Sequence, residues 1–164
     1  MGGRYALKPV VLPRQPRLDQ LVRVVPIGQM REASGIEVLA LAVELYAAGF
    51  VVTFQLQSHG AVPFIDAPPR LTLRGTDERD REYRVLFGGA TGEGERRDWQ
   101  WRHAYRCFPA LPPDAAELGV TITGMRWAVP DQERQIYVPV LTVEGPWSFS
   151  LPLLPTGVAM RKVP

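Results

Sequence analysis

The stretch "DWQWRHAYRCF", residues 98–108, holds two of the four tryptophans, one of the two histidines and the single cysteine of a 164-residue chain. A cysteine and a histidine this close suggest a thiolate–imidazole pair for nucleophilic chemistry, which needs heavy atoms within ~3 Å. The local pattern argues against it. Trp99, Trp101, His103, Tyr105 and Cys107 alternate strictly with Gln100, Arg102, Ala104 and Arg106, the period of a strand with one buried face. On a strand rising ~3.3 Å per residue, His103 and Cys107 stand ~13 Å apart and cannot share a proton. The aromatic face is expected to point inward, with His103 at its rim, and no catalytic residue is assigned.

Other constellations fare no better. Two histidines and one cysteine fall short of the four ligands of a structural zinc site. The acidic group Asp77, Glu78, Asp80 and Glu82 lacks the glycine and terminal glutamate of an EF-hand loop, and the interleaved Arg79 and Arg81 point to a solvated hairpin loop. "GGATGEG" at 88–94 lacks the lysine of a Walker loop and precedes a strand, so it reads as a hairpin connection. No metal and no cofactor is therefore expected. The remaining chemistry is recognition: Trp99, Trp127 and Trp147 offer large rigid faces with an N–H donor, and with His59 in the "SHG" loop they are the candidate ligand-binding residues for a small molecule or carbohydrate.

The elements that must position these residues read as strands. "LVRVVPI" comes first. "GIEVLALAVELY" has helical propensity in its Ala, Leu and Glu, but the neighbouring "FVVTFQLQ" alternates, and Gly49 between the two runs suits a three-residue hairpin loop at its left-handed position. "RLTLRG", "EYRVLFG", the opening stretch, "LGVTITGMRWA", "QIYVPVLTV" and "WSFSLPL" follow, separated by turn-rich segments. About seven to nine short strands so punctuated indicate an all-β antiparallel sandwich. "PPDAAEL" is expected to add one short helical turn.

Composition bounds the rest. At this length about 70% of the unfolded surface can be buried in one core. The formal charge is +2 with basic residues dispersed, which gives no nucleic-acid footprint. No apolar run approaches the ~20 residues of a membrane span, so no membrane insertion is expected. Only Lys8 and Lys162 are lysines and asparagine is absent, a composition compatible with genome bias or a warm habitat. Pro9, Pro13 and Pro16 keep the start irregular. The expected organisation is an extended arm over 1–17, a β-sandwich domain over 18–154 and a tail over 155–164. The start shows no signal-peptide core, and a lone cysteine forms no internal disulfide, so a cytoplasmic location is the default expectation.

Taken in order, "VELYAAGFVVTFQLQ", "PRLTLRGTDERDREYRVLFGG", "FPALPPDAAELGVTI" and "EGPWSFSLPL" resemble the immunoglobulin-like β-sandwich domains of many bacterial proteins. In that pattern a strand pair leads to an L-x-L segment, an acidic turn and a tyrosine, and a G-x-W-x-F strand closes the domain. The resemblance covers about residues 36–153. It implies presentation or adhesion within assemblies and carries no catalytic residues; its relatives are often exported, whereas this chain begins without an export signal. The expected function is a non-enzymatic interaction or assembly module that contacts a protein partner or itself. The alternative is the aromatic ligand-binding domain described above.

Overall fold

A computed structural model describes residues 17–154. The expected arm over 1–17, apart from Arg17, and the expected tail over 155–164 lie outside the described residues. Among the described residues, alternating apolar residues give eight strands and no helix: β1 (Leu21–Ala33), β2 (Ile36–Tyr46), β3 (Phe50–His59), β4 (Arg70–Asp77), β5 (Arg84–Glu95), β6 (Asp98–Phe108), β7 (Glu117–Asp131) and β8 (Ile136–Pro152). All pairings are antiparallel, in a five-stranded sheet of order β1-β2-β3-β6-β5 and a three-stranded sheet of order β4-β7-β8.

The two sheets share one core. From the larger come Val38, Val52, Phe54, Leu56, Trp101 and Tyr105, and from the smaller Leu118, Val120, Ile122, Trp127, Phe149 and Leu151. Phe54 meets Phe149 across the gap with ring centroids 5.9 Å apart. Burying side chains of this size contributes on the order of 1.5–3 kcal/mol each, the main term holding the sheets together. The Trp147 indole adds direction: its Nε1 donates 2.9 Å to the carbonyl of Ile36 on the facing sheet.

Each long side of the layer pair is closed differently. Where β1 meets β8, side chains of one sheet donate to main-chain carbonyls of the other. Arg23 Nη2 reaches Leu153 at 2.7 Å, Gln29 Nε2 reaches Ser150 at 2.8 Å, Arg31 Nε reaches Ser148 at 3.1 Å and Ser34 Oγ reaches Glu144 at 2.7 Å. These bonds occupy acceptors that an incoming strand would need. On the opposite side, where β4 approaches β5, Leu71 N donates 3.1 Å to the Tyr105 hydroxyl, and the Arg70 guanidinium lies 5.5 Å from the Phe87 ring centre.

Several local expectations change. "PPDAAEL" forms no helix; Ala115 N donates to Pro112 O at 3.0 Å, a single turn before β7 begins at Glu117, because the chain must enter a strand immediately. The β2–β3 hairpin is present, but Gly49 is not left-handed. Glycine is needed there because a Cβ would run into the carbonyl of Cys107 on the neighbouring strand. "GGATGEG" is not a loop: β5 continues through it to Glu95, and the turn is Arg96–Arg97. The reason is cross-strand packing. Gly92 faces Trp101 and Gly94 faces Trp99, and a Cβ at either position would overlap the tryptophan opposite, so the indoles occupy the space the glycines leave. "QIYVPVLTV" and "WSFSLPL" join into the single strand β8, with a register shift in the β7–β8 pairing between Ile122 and Gly124 where the two segments meet.

Trp101 is 6% exposed and stacks on Phe64 with centroids 6.4 Å apart. Trp101→Ala is expected to lower unfolding free energy by about 3–5 kcal/mol, the range for a buried large aromatic; a denaturant melt of the variant against wild type measures it, and an unchanged midpoint would remove Trp101 from the core.

Candidate functional site

The opening stretch is β6, the strand between β3 and β5. Its aromatic face points inward as the alternation requires, and His103 lies in the core rather than at the rim, with no exposed surface. The His103 and Tyr105 rings lie nearly parallel with centroids 5.9 Å apart, and Phe87 meets both edge-on. Burial pulls the His103 imidazole down to about 4, so it is neutral at physiological pH. Its Nε2 has no hydrogen-bond partner among the described residues. Burial likewise pushes the Cys107 thiol up to about 12, which leaves almost no thiolate to attack anything at neutral pH.

The candidate ligand-binding tryptophans are inside the protein. Trp99, Trp127 and Trp147 are 3%, 1% and 0% exposed. Trp99 meets Trp127 edge-on at 5.8 Å and donates from Nε1 to Val62 O at 2.9 Å. The expectation of an exposed tryptophan surface is therefore corrected: two sheets close over these rings, and the β3–β4 connection covers the end of the row with Val62 and Phe64. That connection is pinned by bonds from Gly60 N to Arg97 O at 2.8 Å and from Val62 N to Ser58 Oγ at 3.2 Å, and by Phe64 N to Arg96 O. Fold closure, not strand periodicity, decides which face of an indole meets water.

His59 alone of the four candidates is exposed. It lies at the end of β3 with Nδ1 3.2 Å from the Asp98 carboxylate and Nε2 4.0 Å from Glu37. Around it opens a shallow cleft of about 1030 Å³, lined in part by Gln57, Glu93, Arg97 and Gln100. Trp99 borders the cleft but is 3% exposed, too little to serve as a stacking platform, and among the described residues no cluster of three or more His, Cys, Asp and Glu side chains could hold a metal ion.

Glu78 to Glu82 are exposed, as a solvated loop requires, but Asp77 is not. Asp77 is buried at the end of β4 and accepts from Tyr83 Oη at 2.8 Å, from Arg81 Nε at 2.8 Å, and from the main-chain N–H groups of Arg79 and Arg81 at 2.9 and 3.0 Å. Burial raises the Asp77 carboxyl, but the hydrogen bonds outweigh it and bring the group down to about 2. Glu78 accepts from the main chain of Ala116 and Glu117 and ties this turn to the start of β7. Sequence reading missed both roles, because acceptor-rich turns and solvated charge runs look alike until the Tyr83 partner is placed.

Two exposed apolar features remain, and neither stood out in the sequence. β4 pairs with β7 only from Leu118 to Arg126, so the β7–β8 ribbon continues past the third strand. There Ile136, Tyr137 and Val140 are 50%, 75% and 50% exposed. The second feature is the outer face of the five-stranded sheet, where Val24 and Met30 are exposed and Leu39, Ala42 and Val51 are only half-buried. The signal for it was in the sequence: "IEVLALAVELY" is nearly continuous in apolar residues, the composition of a strand covered on both faces rather than one.

No family model and no curated protein matches the chain. Among solved structures it is similar to the conserved domain protein from Bacillus anthracis, with a TM-score of 0.57 and 17% identity over 80% of this chain. The match spans 49% of that protein, so this chain corresponds to about half its length. At this identity the likeness is one of fold. The described residues contain no helix long and apolar enough to cross a bilayer.

Two outcomes follow from the buried groups on β6. Cys107 should react with a thiol reagent orders of magnitude more slowly in the folded chain than in denaturant; equal rates would place it at the surface. Because folding depresses the His103 pKa from 6.5 to about 4, the unfolded chain takes up the proton first. The stability tied to neutral His103 is intact above about pH 6.5 and falls as pH drops towards 4. His103→Phe should remove a slope approaching one proton per chain from the stability profile in that window, measured by denaturant melts at successive pH values. Loss of the Asp77 hydrogen bonds acts separately, as pH falls from about 4 towards 2.

Proposed function

We propose that this protein is a non-enzymatic interaction module with an immunoglobulin-like β-sandwich fold. The fold reading is supported by strand order. Taking β2 to β8 as strands A to G, the sheets read A-B-E-D and C-F-G, the arrangement of the constant-type immunoglobulin domain, with β1 added beside the first strand. The sequence segments that carry the resemblance to bacterial immunoglobulin-like domains fall on β2 to β5, β7 and β8.

The observation that carries the functional reading is the free end of the β7–β8 ribbon. From Glu144 onward, the β8 carbonyls of Glu144, Ser148 and Ser150 accept from Ser34, Arg31 and Gln29; between Ile136 and Thr142 that edge has no strand beside it among the described residues. An unpaired edge beside Ile136, Tyr137 and Val140 supplies both elements of recognition by strand addition: main-chain hydrogen bonds for affinity and side chains for selectivity. Tyr137, three-quarters exposed, is the largest anchor, and aromatic anchors dominate binding energy at protein interfaces. The partner is thus a protein segment able to extend alongside β8.

A photo-crosslinking residue in place of Tyr137 tests this in the native host. It should trap a defined partner that the same residue at Arg126, on the ribbon but paired with β4, does not trap, and Val140→Lys should reduce the yield about tenfold or more by placing an unpaired charge in the interface. Equal labelling at both positions, or none at Tyr137, would overturn the reading.

A further inference from the structure

The outer face of the five-stranded sheet is ordered in four rows, each crossing β1, β2, β3, β6 and β5 in register. They are Val24–Glu44–Val51–Arg106–Leu86, Pro26–Ala42–Thr53–Ala104–Gly89, Met30–Leu39–Gln55–Arg102–Thr91 and Glu32–Glu37–Gln57–Gln100–Glu93. The second row consists of small or apolar side chains from edge to edge. Charge sits off-centre: the acids Glu44 and Glu37 are on β2 and the bases Arg106 and Arg102 are on β6, one strand either side of the middle strand β3. Among the described residues neither arginine nor Glu44 forms an ion pair; the Glu44 carboxylate accepts only the Tyr46 hydroxyl.

We propose that this face is a homodimer interface, in which a second copy packs face to face about a two-fold axis running along β3. This deepens the interaction-module reading and rests on it, using a different surface from the β8 edge. Turning the sheet over about that axis exchanges β2 with β6 and β1 with β5 while preserving height along the strands. Glu44 then faces Arg106 of the second copy, and Arg106 faces its Glu44, so the dimer gains two complementary pairs from one register. In the same row Val24 comes over Leu86, and Val51 over its own counterpart. In the next row Ala42 comes over Ala104, and Thr53 over Thr53. In the third row Leu39 lies under the aliphatic stem of Arg102. In the fourth row Glu37 comes over Gln100 and Glu32 over Glu93, a like-charge contact at the outer corners, where water at the margin screens it. A two-fold axis running across the strands would instead bring β2 against β2, set Glu44 against Glu37 twice and leave Arg106 and Arg102 with no facing acid, so the Glu44–Arg106 pairs favour the first orientation.

Size sets the strength. With strands ~4.8 Å apart and same-face residues ~6.7 Å apart, the face covers on the order of 550 Å² per copy. That lies at the low end of specific interfaces. A reversible dimer with a dissociation constant of order ten to a few hundred micromolar is the expectation, not a permanent assembly. The immediate neighbours of the face, Arg17 to Asp19, border it at Tyr46, Val51 and Arg106.

Sedimentation equilibrium of the full chain from about 10 µM to 1 mM tests the proposal, with circular dichroism and melting curves confirming that each variant is folded. Glu44→Lys alone and Arg106→Glu alone each set like charges together twice and should weaken the dimer about 30-fold or more. An equimolar mixture of the two variants should dimerise again, within about threefold of wild type. Across the two chains the introduced lysine then faces the introduced glutamate, while the native Arg106 of one chain faces the native Glu44 of the other. As a charge-independent measurement, Thr53→Cys should crosslink to its own counterpart with a short bis-maleimide, while Ser150→Cys on the other sheet should not. A wild-type chain that stays monomeric to 1 mM overturns the proposal and leaves the face to residues 1–16 of the same chain or to another protein. So does a dimer indifferent to both charge reversals, or a mixture that fails to reassociate. A monomer that still crosslinks a partner through position 137 fails this inference alone; a monomer that crosslinks nothing there fails the interaction reading as well.

Discussion

The inward row of β6 is the constraint on which the rest of the structure depends. Trp99, Trp101, His103, Tyr105 and Cys107 fill the space between a five-stranded and a three-stranded sheet, and large rings at alternate positions leave their neighbours little freedom. β5 must present glycine opposite both indoles. The β3–β4 connection must cross where its Val62 carbonyl can take the Trp99 N–H. Leu71 N, on the far sheet, is fixed by the Tyr105 hydroxyl. One strand thereby sets the composition of its neighbour, the path of a connection and the approach of the second sheet.

The same burial removes reactive character from groups that look reactive in isolation. A neutral imidazole and a protonated thiol are what a water-poor environment imposes when no opposite charge is supplied. Asp77 shows the contrasting case. It too is buried, yet four donors converge on it, so its carboxylate remains charged and organises the turn before β5. Whether a buried polar group becomes inert or structural depends on how many partners the fold brings to it.

The edges of the sheets follow a related logic. Side chains of β1 occupy carbonyls of β8 along half of its length and leave the other half open, while β2 keeps apolar residues on both of its faces. Protection of one segment of an edge makes exposure of the next a matter of arrangement rather than of poor packing. It concentrates the available contact surface at the β7–β8 ribbon and on the outer face of the larger sheet.

By itself, the sequence determined the strand period of residues 98–108, the separation of His103 from Cys107 and the all-β character, because alternation and rise per residue are local properties of the backbone. It also carried the two-faced apolar pattern of β2. Only the tertiary structure decided that Trp99, Trp127 and Trp147 are covered, that "GGATGEG" is a strand against two indoles, and that Asp77 collects donors from residues up to six positions away around a turn closed by Tyr83. Period two says that five side chains share a face; it does not say whether a second sheet lies on that face. That depends on pairings such as Trp147 with Ile36, which are 111 residues apart and exist only once the chain has folded.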